Sequence, residues 1–425
     1  MNAYFTSLSS RGDIRKVIMD VIASTLSEAG SGSLEIHMMM FSFTDPELGR
    51  FLENIAREHE EVQIRIIADW KQGSSYSNSQ VRRIQELSLP NVDVRYKTDQ
   101  PYRWDSIRCR PRWSYNTSRG MLHHKIVSVR VNGTPEITIC GTYNWTNKAT
   151  QNYENLLILH WSEVSYRSLI SRIQLEFEAL WTDQNASMST TDALFHYQAI
   201  QETFINNPDV EPSTIRGIVP AEGGQLPSDY VSAIDIRDFD IHDTCCIAFS
   251  SRRYMDEKAS NGYAEANRRQ IVVKHGHQRP LTITQISLLA INEAEEGDQL
   301  YIAMHGLSPR VPEFSAIIEA ARRGVRCQLI LDGKTSVISA VRLEEIAESE
   351  NLPIEISVTG RFMHQKYIII PNKSIVVTGT ANMSTDASLR HTEHRMLFRN
   401  DAKLTALFME DFAEIKKRLD WANSA

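Results

Sequence analysis

Leu34-Glu35-Ile36-His37-Met38-Met39-Met40-Phe41, then a helical pattern from Leu48 to Glu58, then Val62-Gln63-Ile64-Arg65-Ile66-Ile67-Ala68-Asp69, forms a strand–helix–strand unit, and its reading decides the fold. The first run is largely apolar, the pattern of a strand buried on both faces rather than on one. The same order returns in the C-terminal half. Gln299-Leu300-Tyr301-Ile302-Ala303-Met304 reads as a strand, Phe314 to Arg323 as a helix, and Val325 to Asp332 as a second strand with the corresponding terminal aspartate. Apolar-periodic helices, Ile14 to Leu26 and Ile283 to Ala294, lead into the two units. The duplication predicts two similar α/β lobes related by a pseudo-twofold, each a mixed, mostly parallel sheet flanked by helices.

Downstream of each unit the repeat carries chemistry. His123-His124-Lys125 is followed by Gly141-Thr142-Tyr143-Asn144 and Glu154; His364-Gln365-Lys366 is followed by Gly379-Thr380-Ala381-Asn382 and Glu393. Each His-x-Lys opens a β-rich stretch, and a second strand, Glu136 to Cys140 or Ser374 to Thr378, ends at the glycine. Histidine, lysine and asparagine are thereby placed at strand ends, where α/β sheets hold ligands.

One imidazole cannot easily both attack a phosphorus and protonate the oxygen leaving on the opposite side. Two copies point to two half-sites facing one phosphodiester. An imidazole serves as nucleophile when neutral and as general acid when protonated. Lys125 and Lys366 supply positive charge to the nonbridging oxygens; Asn144 and Asn382 supply neutral donors, with Thr142 and Thr380 nearby. The two histidines must differ in protonation, and Glu154 and Glu393 are the candidate carboxylate partners. A single His-x-Lys has almost no specificity; the same order twice, each with its glutamate, carries the reading. No compact acidic cluster accompanies the motifs, so neither a metal nor another cofactor is expected.

The 425 residues are enough for two or three domains, and 42% hydrophobic with 23% charged residues is the composition of a soluble globular chain. Residues 1–182 are read as the N-terminal lobe, 183–243 as a connector or insertion and 244–425 as the C-terminal lobe. The connector carries Pro208, Pro212, Pro220, Pro227 and Gly223-Gly224, a surface composition. A net charge of −7 excludes a uniformly basic coat but not a local basic groove. Five cysteines (Cys109, Cys140, Cys245, Cys246, Cys327) form no C-x-x-C pair and read as small buried residues in a reducing compartment. The N-terminus lacks a signal-peptide pattern, and no run approaches the ~20 apolar residues of a membrane span. The expectation is a cytoplasmic protein without stable membrane association.

On these residues the chain resembles the phospholipase D superfamily, over both lobes. Leu122-His123-His124-Lys125 to Gly141-Thr142-Tyr143-Asn144-Trp145-Thr146 and Asn152-Tyr153-Glu154-Asn155 is most similar to the bacterial endonuclease branch. The resemblance implies that His123 and His364 react, that Lys125, Lys366, Asn144 and Asn382 hold phosphate, that no metal is required and that a covalent phosphohistidine forms. In two-lobed members the N-terminal histidine is commonly the nucleophile, which assigns attack to His123 and protonation of the leaving oxygen to His364. The chain departs from the family in one respect: the aspartate that follows the His-x-Lys strand is replaced by Arg130 and Pro371. Tyrosyl-DNA phosphodiesterases also lack it, so catalysis is not excluded.

The segment leading to His123 bears on the substrate. Arg103-Trp104, Arg108, Arg110, Arg112-Trp113, Tyr115 and Arg119 interleave cations with aromatic rings, the composition of a groove for single-stranded nucleic acid. A second basic run spans Arg268 to Arg279. The leading reading is a nuclease with nucleic acid as partner, DNA ahead of RNA. The alternatives are a phospholipase D or phosphatidyl transferase, for which no convincing membrane-facing apolar rim is visible in the sequence, and an end-processing phosphodiesterase of the tyrosyl-DNA type.

Overall fold

The computed structural model describes residues 1–8, 12–30, 32–74, 77–97, 102–105, 110–113, 121–182, 187–193, 244–250, 282–389 and 391–424. The first lobe contains β1 (Asn2–Phe5), β2 (Leu34–Met40), β3 (Val62–Asp69), β4 (Val92–Lys97), β5 (Tyr102–Asp105), β6 (Arg110–Trp113), β7 (Lys125–Val131), β8 (Thr134–Gly141), β9 (Asn155–His160) and β10 (Ser187–Ser189). Its helices are α1 (Ile14–Glu28), α2 (Pro46–Glu58), α3 (Trp70–Ser74), α4 (Gln80–Glu86) and α5 (Arg167–Thr182). The second lobe contains β11 (Cys245–Ser250), β12 (Gln299–Met304), β13 (Arg326–Asp332), β14 (Ile354–Thr359), β15 (Lys366–Ile370), β16 (Ile375–Gly379) and β17 (Glu393–Phe398). Its helices are α6 (Ile283–Glu293), α7 (Pro312–Arg322), α8 (Val337–Glu350), α9 (Thr385–Leu389) and α10 (Ala402–Ser424).

The sheets run β1-β9-β8-β7-β2-β3-β4-β10 and β11-β17-β16-β15-β12-β13-β14, the same order twice apart from the added edge strand β10. Both are mixed. Parallel pairing is confined to β2–β3–β4 and β12–β13–β14, and the other neighbours are antiparallel. The expectation of mostly parallel sheets is corrected here: the hairpins that carry the motifs contribute more strands than the crossover units do. Ser187–Ser189, within the segment read as connector, pairs with β4 in the first sheet. Residues 194–243, with the prolines of that connector, and the Arg268 to Arg279 run lie outside the described residues.

Side chains alternate between two cores. Met38 and Met40 of β2 face the outer core of the first lobe, whereas Met39 between them faces a core shared by both lobes. Ile302 and Met304 against Ala303 repeat the pattern in β12. The shared core receives Ile170 and Phe177 of α5 and Phe408 and Phe412 of α10, the helices that follow β9 and β17. Burial on both faces explains the uninterrupted apolar runs of the sequence. Helix starts are set locally: Asp45 caps α2 by accepting from the N–H groups of Glu47 and Leu48, with Pro46 in the first turn, and Thr282 with Gln285 forms a capping box on α6.

Cys140, Cys245, Cys246 and Cys327 are buried, whereas Cys109 lies outside the described residues. Among the described residues no helix is long and apolar enough to cross a membrane.

Candidate active site

Each motif histidine stands two residues before the lysine that opens the central hairpin. In the register of the sheet Lys125 lies opposite Met40 and Lys366 opposite Met304, so both motifs begin at the same end of their sheets. The chain leading into each histidine is held by a buried aspartate. Leu122 N–H donates to Asp69 Oδ2 at 2.9 Å, and Met363 N–H donates to Asp332 Oδ2 at 3.0 Å. The sequence showed these aspartates as the matching ends of β3 and β13 without revealing what they hold.

The lobes then exchange backbone. His123 N–H donates to Thr392 O, and Thr392 N–H to Met121 O; symmetrically, Tyr153 N–H donates to Phe362 O, and His364 N–H to Tyr153 O. The segment before each histidine is therefore bridged to the segment before the other lobe's glutamate. Such an exchange, in which i meets j and j meets i, is the signature of a twofold contact. It places His123 Nδ1 2.7 Å from Glu393 Oε2 and His364 Nδ1 2.6 Å from Glu154 Oε2. Glu154 and Glu393 partner the rings as the sequence suggested, but each serves the histidine of the opposite lobe. The next residue along repeats the crossing: His124 Nδ1 faces His394 Nδ1 at 3.1 Å, and Asn155 Nδ2 donates to Gln365 Oε1.

The two imidazoles stand face to edge, ring centroids 6.3 Å apart and planes at 82°. The two rings are therefore neighbours, close enough to address one bound group together. His123 and His364 are buried, 6% and 5% exposed. Lys125 Nζ donates to His123 O at 2.6 Å and Lys366 Nζ to His364 O at 2.8 Å, so each ammonium is tethered beside its own histidine. Asn382 Oδ1 accepts from Gly306 N–H, whereas Asn144 Oδ1 is buried with no hydrogen-bond partner among the described residues. Thr142 and Thr380 are buried; their hydroxyls accept from the N–H groups of Asn155 and His394 and tie each Gly-Thr turn to the strand bearing the glutamate.

The glycine of each turn is obligatory for the same reason. Gly141 and Gly379 have φ of +145° and +146°, and a Cβ would lie 2.6 Å from Asn155 O and 2.4 Å from His394 O. Nothing larger lets the turn approach the neighbouring strand.

Burial dominates the electrostatics. It depresses both histidines well below their ordinary value; Lys125 and Lys366 add to this at both rings, and Glu393 opposes. Burial brings Lys125 down to about 7 and Lys366 to about 8. The carboxylates diverge. Burial pushes Glu154 up to about 8 against the pull of Lys366, Thr142 and Asn152. The same burial acts on Glu393, but His123 and a further histidine, His391, outweigh it and hold Glu393 well below the usual carboxylate range.

Of the substrate-binding candidates, Arg103, Trp104, Arg110, Arg112 and Trp113 fall on the antiparallel hairpin β5–β6, with Arg103 opposite Arg112 and Tyr102 opposite Trp113. Arg108, Tyr115 and Arg119 lie outside the described residues. Arg130, in place of the family aspartate, pairs with Glu35 at 3.1 Å and donates to Gly133 O, near the far end of β7. Pro371 opens a short turn after β15. Neither faces the histidines. Among the described residues no group of three or more His, Cys, Asp or Glu side chains is arranged to hold a metal ion.

A family profile described as the cardiolipin synthase, PLD-like domain matches residues 22–181 and 288–416, both lobes of the chain. The chain belongs to that family. It is thus a member of the PLD-like superfamily, whose members act on phosphodiester bonds, and both His-x-Lys motifs lie inside the matched segments. Among solved structures, the phosphatidylserine synthase of Haemophilus influenzae Rd KW20 is similar at 11% identity and a TM-score of 0.53, covering 97% of this chain and 86% of that one. Nuc of Salmonella typhimurium, a phospholipase D family member, matches at 20% identity and a TM-score of 0.28 over 40% of this chain and 91% of its own. A mutant of yeast tyrosyl-DNA phosphodiesterase 1 matches at 11% identity and a TM-score of 0.44, covering 93% and 89% of the two chains. No curated protein sequence matches the chain. The likeness to the phosphatidylserine synthase is one of PLD-like fold.

Proposed function

We propose that this PLD-like protein is a metal-independent nuclease that cleaves phosphodiester bonds, DNA ahead of RNA, through a phosphohistidine. The observation that carries the chemistry is the pair of crossed His–Glu couples that bring the two imidazoles together, ring centroids 6.3 Å apart. Their carboxylates set opposite tautomers. Ionised Glu393 accepts Nδ1–H of His123 and leaves a lone pair on its Nε2, the state of a nucleophile. Glu154, raised to about 8, carries a proton at neutral pH and donates it to His364 Nδ1, so the ring proton of His364 sits on Nε2, the state of an acid.

His123 Nε2 attacks phosphorus as the P–O bond to the leaving oxygen breaks. That oxygen takes the proton from His364 Nε2 while Glu154 returns one to Nδ1. Water then attacks the phosphohistidine, giving its proton to His364 Nε2 as Nδ1–H returns to Glu154, and the P–N bond breaks to free His123 and a phosphate monoester. Lys125, Lys366, Asn144 and Asn382 stabilise the charge on the nonbridging oxygens throughout.

The nucleic-acid assignment is supported by the Arg and Trp residues of the β5–β6 hairpin, which precedes His123 in the chain. Activity is tested in EDTA on labelled single-stranded DNA, duplex DNA, RNA and phosphatidylcholine vesicles. Cleavage of a nucleic acid, with replacement of Arg108, Arg110 and Arg112 by alanine weakening its binding and flattening the salt dependence while sparing a small diester, supports the reading. Loss of activity in EDTA with recovery in magnesium contradicts it.

A lipid phosphodiester is the second reading, favoured by one feature of the second lobe. Val337, Ile338 and Val341 on α8 are 42%, 76% and 48% exposed, and Phe362, 40% exposed, stacks on His364 at 5.5 Å. This apolar surface, invisible as a rim in the sequence, and the family description both suit a lipid substrate. Vesicle hydrolysis without nucleic-acid cleavage decides for it.

A further inference from the structure

The crossed couples are alike in geometry, but their carboxylates have different second partners. Two residues before each glutamate the first repeat has Asn152 and the second His391. Asn152 Nδ2 donates to Glu154 Oε1 at 3.3 Å, and His391 Nδ1 lies 3.2 Å from Glu393 Oε1. Each carboxylate therefore receives the opposite lobe's catalytic histidine on Oε2 and its own lobe's second partner on Oε1. The partners are not equivalent, because an amide is always neutral whereas an imidazole can bring a positive charge.

His391 is fixed for this contact. Its N–H donates to Asp386 O, its carbonyl accepts from Ser250 Oγ on β11, and the ring is 6% exposed, with its centroid 6.1 Å from that of His123. Its other ring nitrogen, Nε2, is buried with no hydrogen-bond partner among the described residues, leaving Glu393 as the polar contact that orients the ring.

We propose that His391 is a positioning residue that keeps Glu393 an acceptor, and so makes His123 rather than His364 the nucleophile. The assignment rests on the phosphohistidine reading above and supplies the reason that two near-identical half-sites do unequal work. Glu393 also interacts electrostatically with His123, His364, Lys125, Lys366, His124, His394 and Arg395. Glu154 faces Lys366, Lys125 and Tyr143. None of these groups is altered in the test.

The test is His391→Asn, which copies the first repeat into the second, read by ¹⁵N NMR of the histidine rings at neutral pH without any substrate. Wild type should show His123 protonated on Nδ1 and His364 on Nε2; the variant should shift His123 to the Nε2 tautomer. On a small aryl phosphodiester, kcat should fall at least tenfold at neutral pH, and the acidic limb of the pH profile should move up by about one unit, since the first couple now binds its extra proton more tightly. A loss of packing alone would lower the rate without moving the limb or the tautomer. An unchanged His123 tautomer overturns the proposal. Because the NMR readout needs no turnover, a wild type inactive on every phosphodiester would count against the functional reading and leave the tautomer assignment to be judged separately. If His391→Asn does not fold, Asn152→His carries the same test in reverse, moving His364 to the Nδ1 tautomer; failure to do so overturns the proposal equally.

Discussion

Glu154 is encoded in the first repeat, and the imidazole it holds, His364, is encoded in the second, with Oε2 2.6 Å from Nδ1. Glu393 and His123 repeat the exchange in the other direction. Neither lobe contains a complete couple, so the interface between lobes builds both His–Glu pairs.

The crossing is measurable as coupling. In denaturant unfolding, the double-mutant cycle of Glu154→Gln with His364→Asn should give an interaction energy of about 1–3 kcal/mol, as residues in one buried hydrogen-bonded pair do. The cycle of Glu154→Gln with His123→Asn, in the same lobe, should be smaller. Equal coupling in both cycles would argue against the crossed arrangement.

Anion binding should be strongly pH-dependent. Lys125 and Lys366 are brought down to about 7 and about 8 by burial, so each is charged below that pH and neutral above it. Glu154 is neutral below about 8 and ionised above, which acts in the same direction. Affinity for tungstate, whose own charge does not change over this range, should therefore be highest below pH 7 and fall as pH rises through 8. Calorimetry at pH 8 in buffers of different ionisation enthalpy should show proton uptake on binding. Proton release there would contradict the shifts.

Much of this architecture was legible in the residues, because a strand buried on both faces leaves a continuous apolar run, as in Met38 to Met40 of β2 and Ile302 to Met304 of β12. The motifs were legible because they recur in order. The crossing was not, since nothing local in Asn152-Tyr153-Glu154 distinguishes a partner in its own lobe from one in the other; the bridges from Tyr153 to Met363 and from Leu122 to Thr392 decide it. The roles of Asp69 and Asp332 were hidden for a similar reason, each capturing an N–H from a distant loop. His391 could have been found by aligning Asn152-Tyr153-Glu154 with His391-Thr392-Glu393 and asking why only one is titratable.

The turn glycines should tolerate no side chain. Gly141→Ala and Gly379→Ala each place a Cβ within 3 Å of a backbone carbonyl at a positive φ, so each should destabilise the fold by about 1–3 kcal/mol or more. The same variants should lose phosphodiester turnover, because the turn positions Asn144 or Asn382. Thermal unfolding that leaves Tm unchanged would contradict this.

The most direct test of the account is to quench a reaction with an aryl phosphodiester under alkaline conditions and locate the trapped phosphoryl group by tandem mass spectrometry, in wild type, His123→Asn and His364→Asn. The expected result is one adduct per chain, on His123, absent from His123→Asn and accumulating in His364→Asn, where the group that activates water for the second step is missing. Label on His364, or steady turnover with no adduct on either histidine, would contradict it.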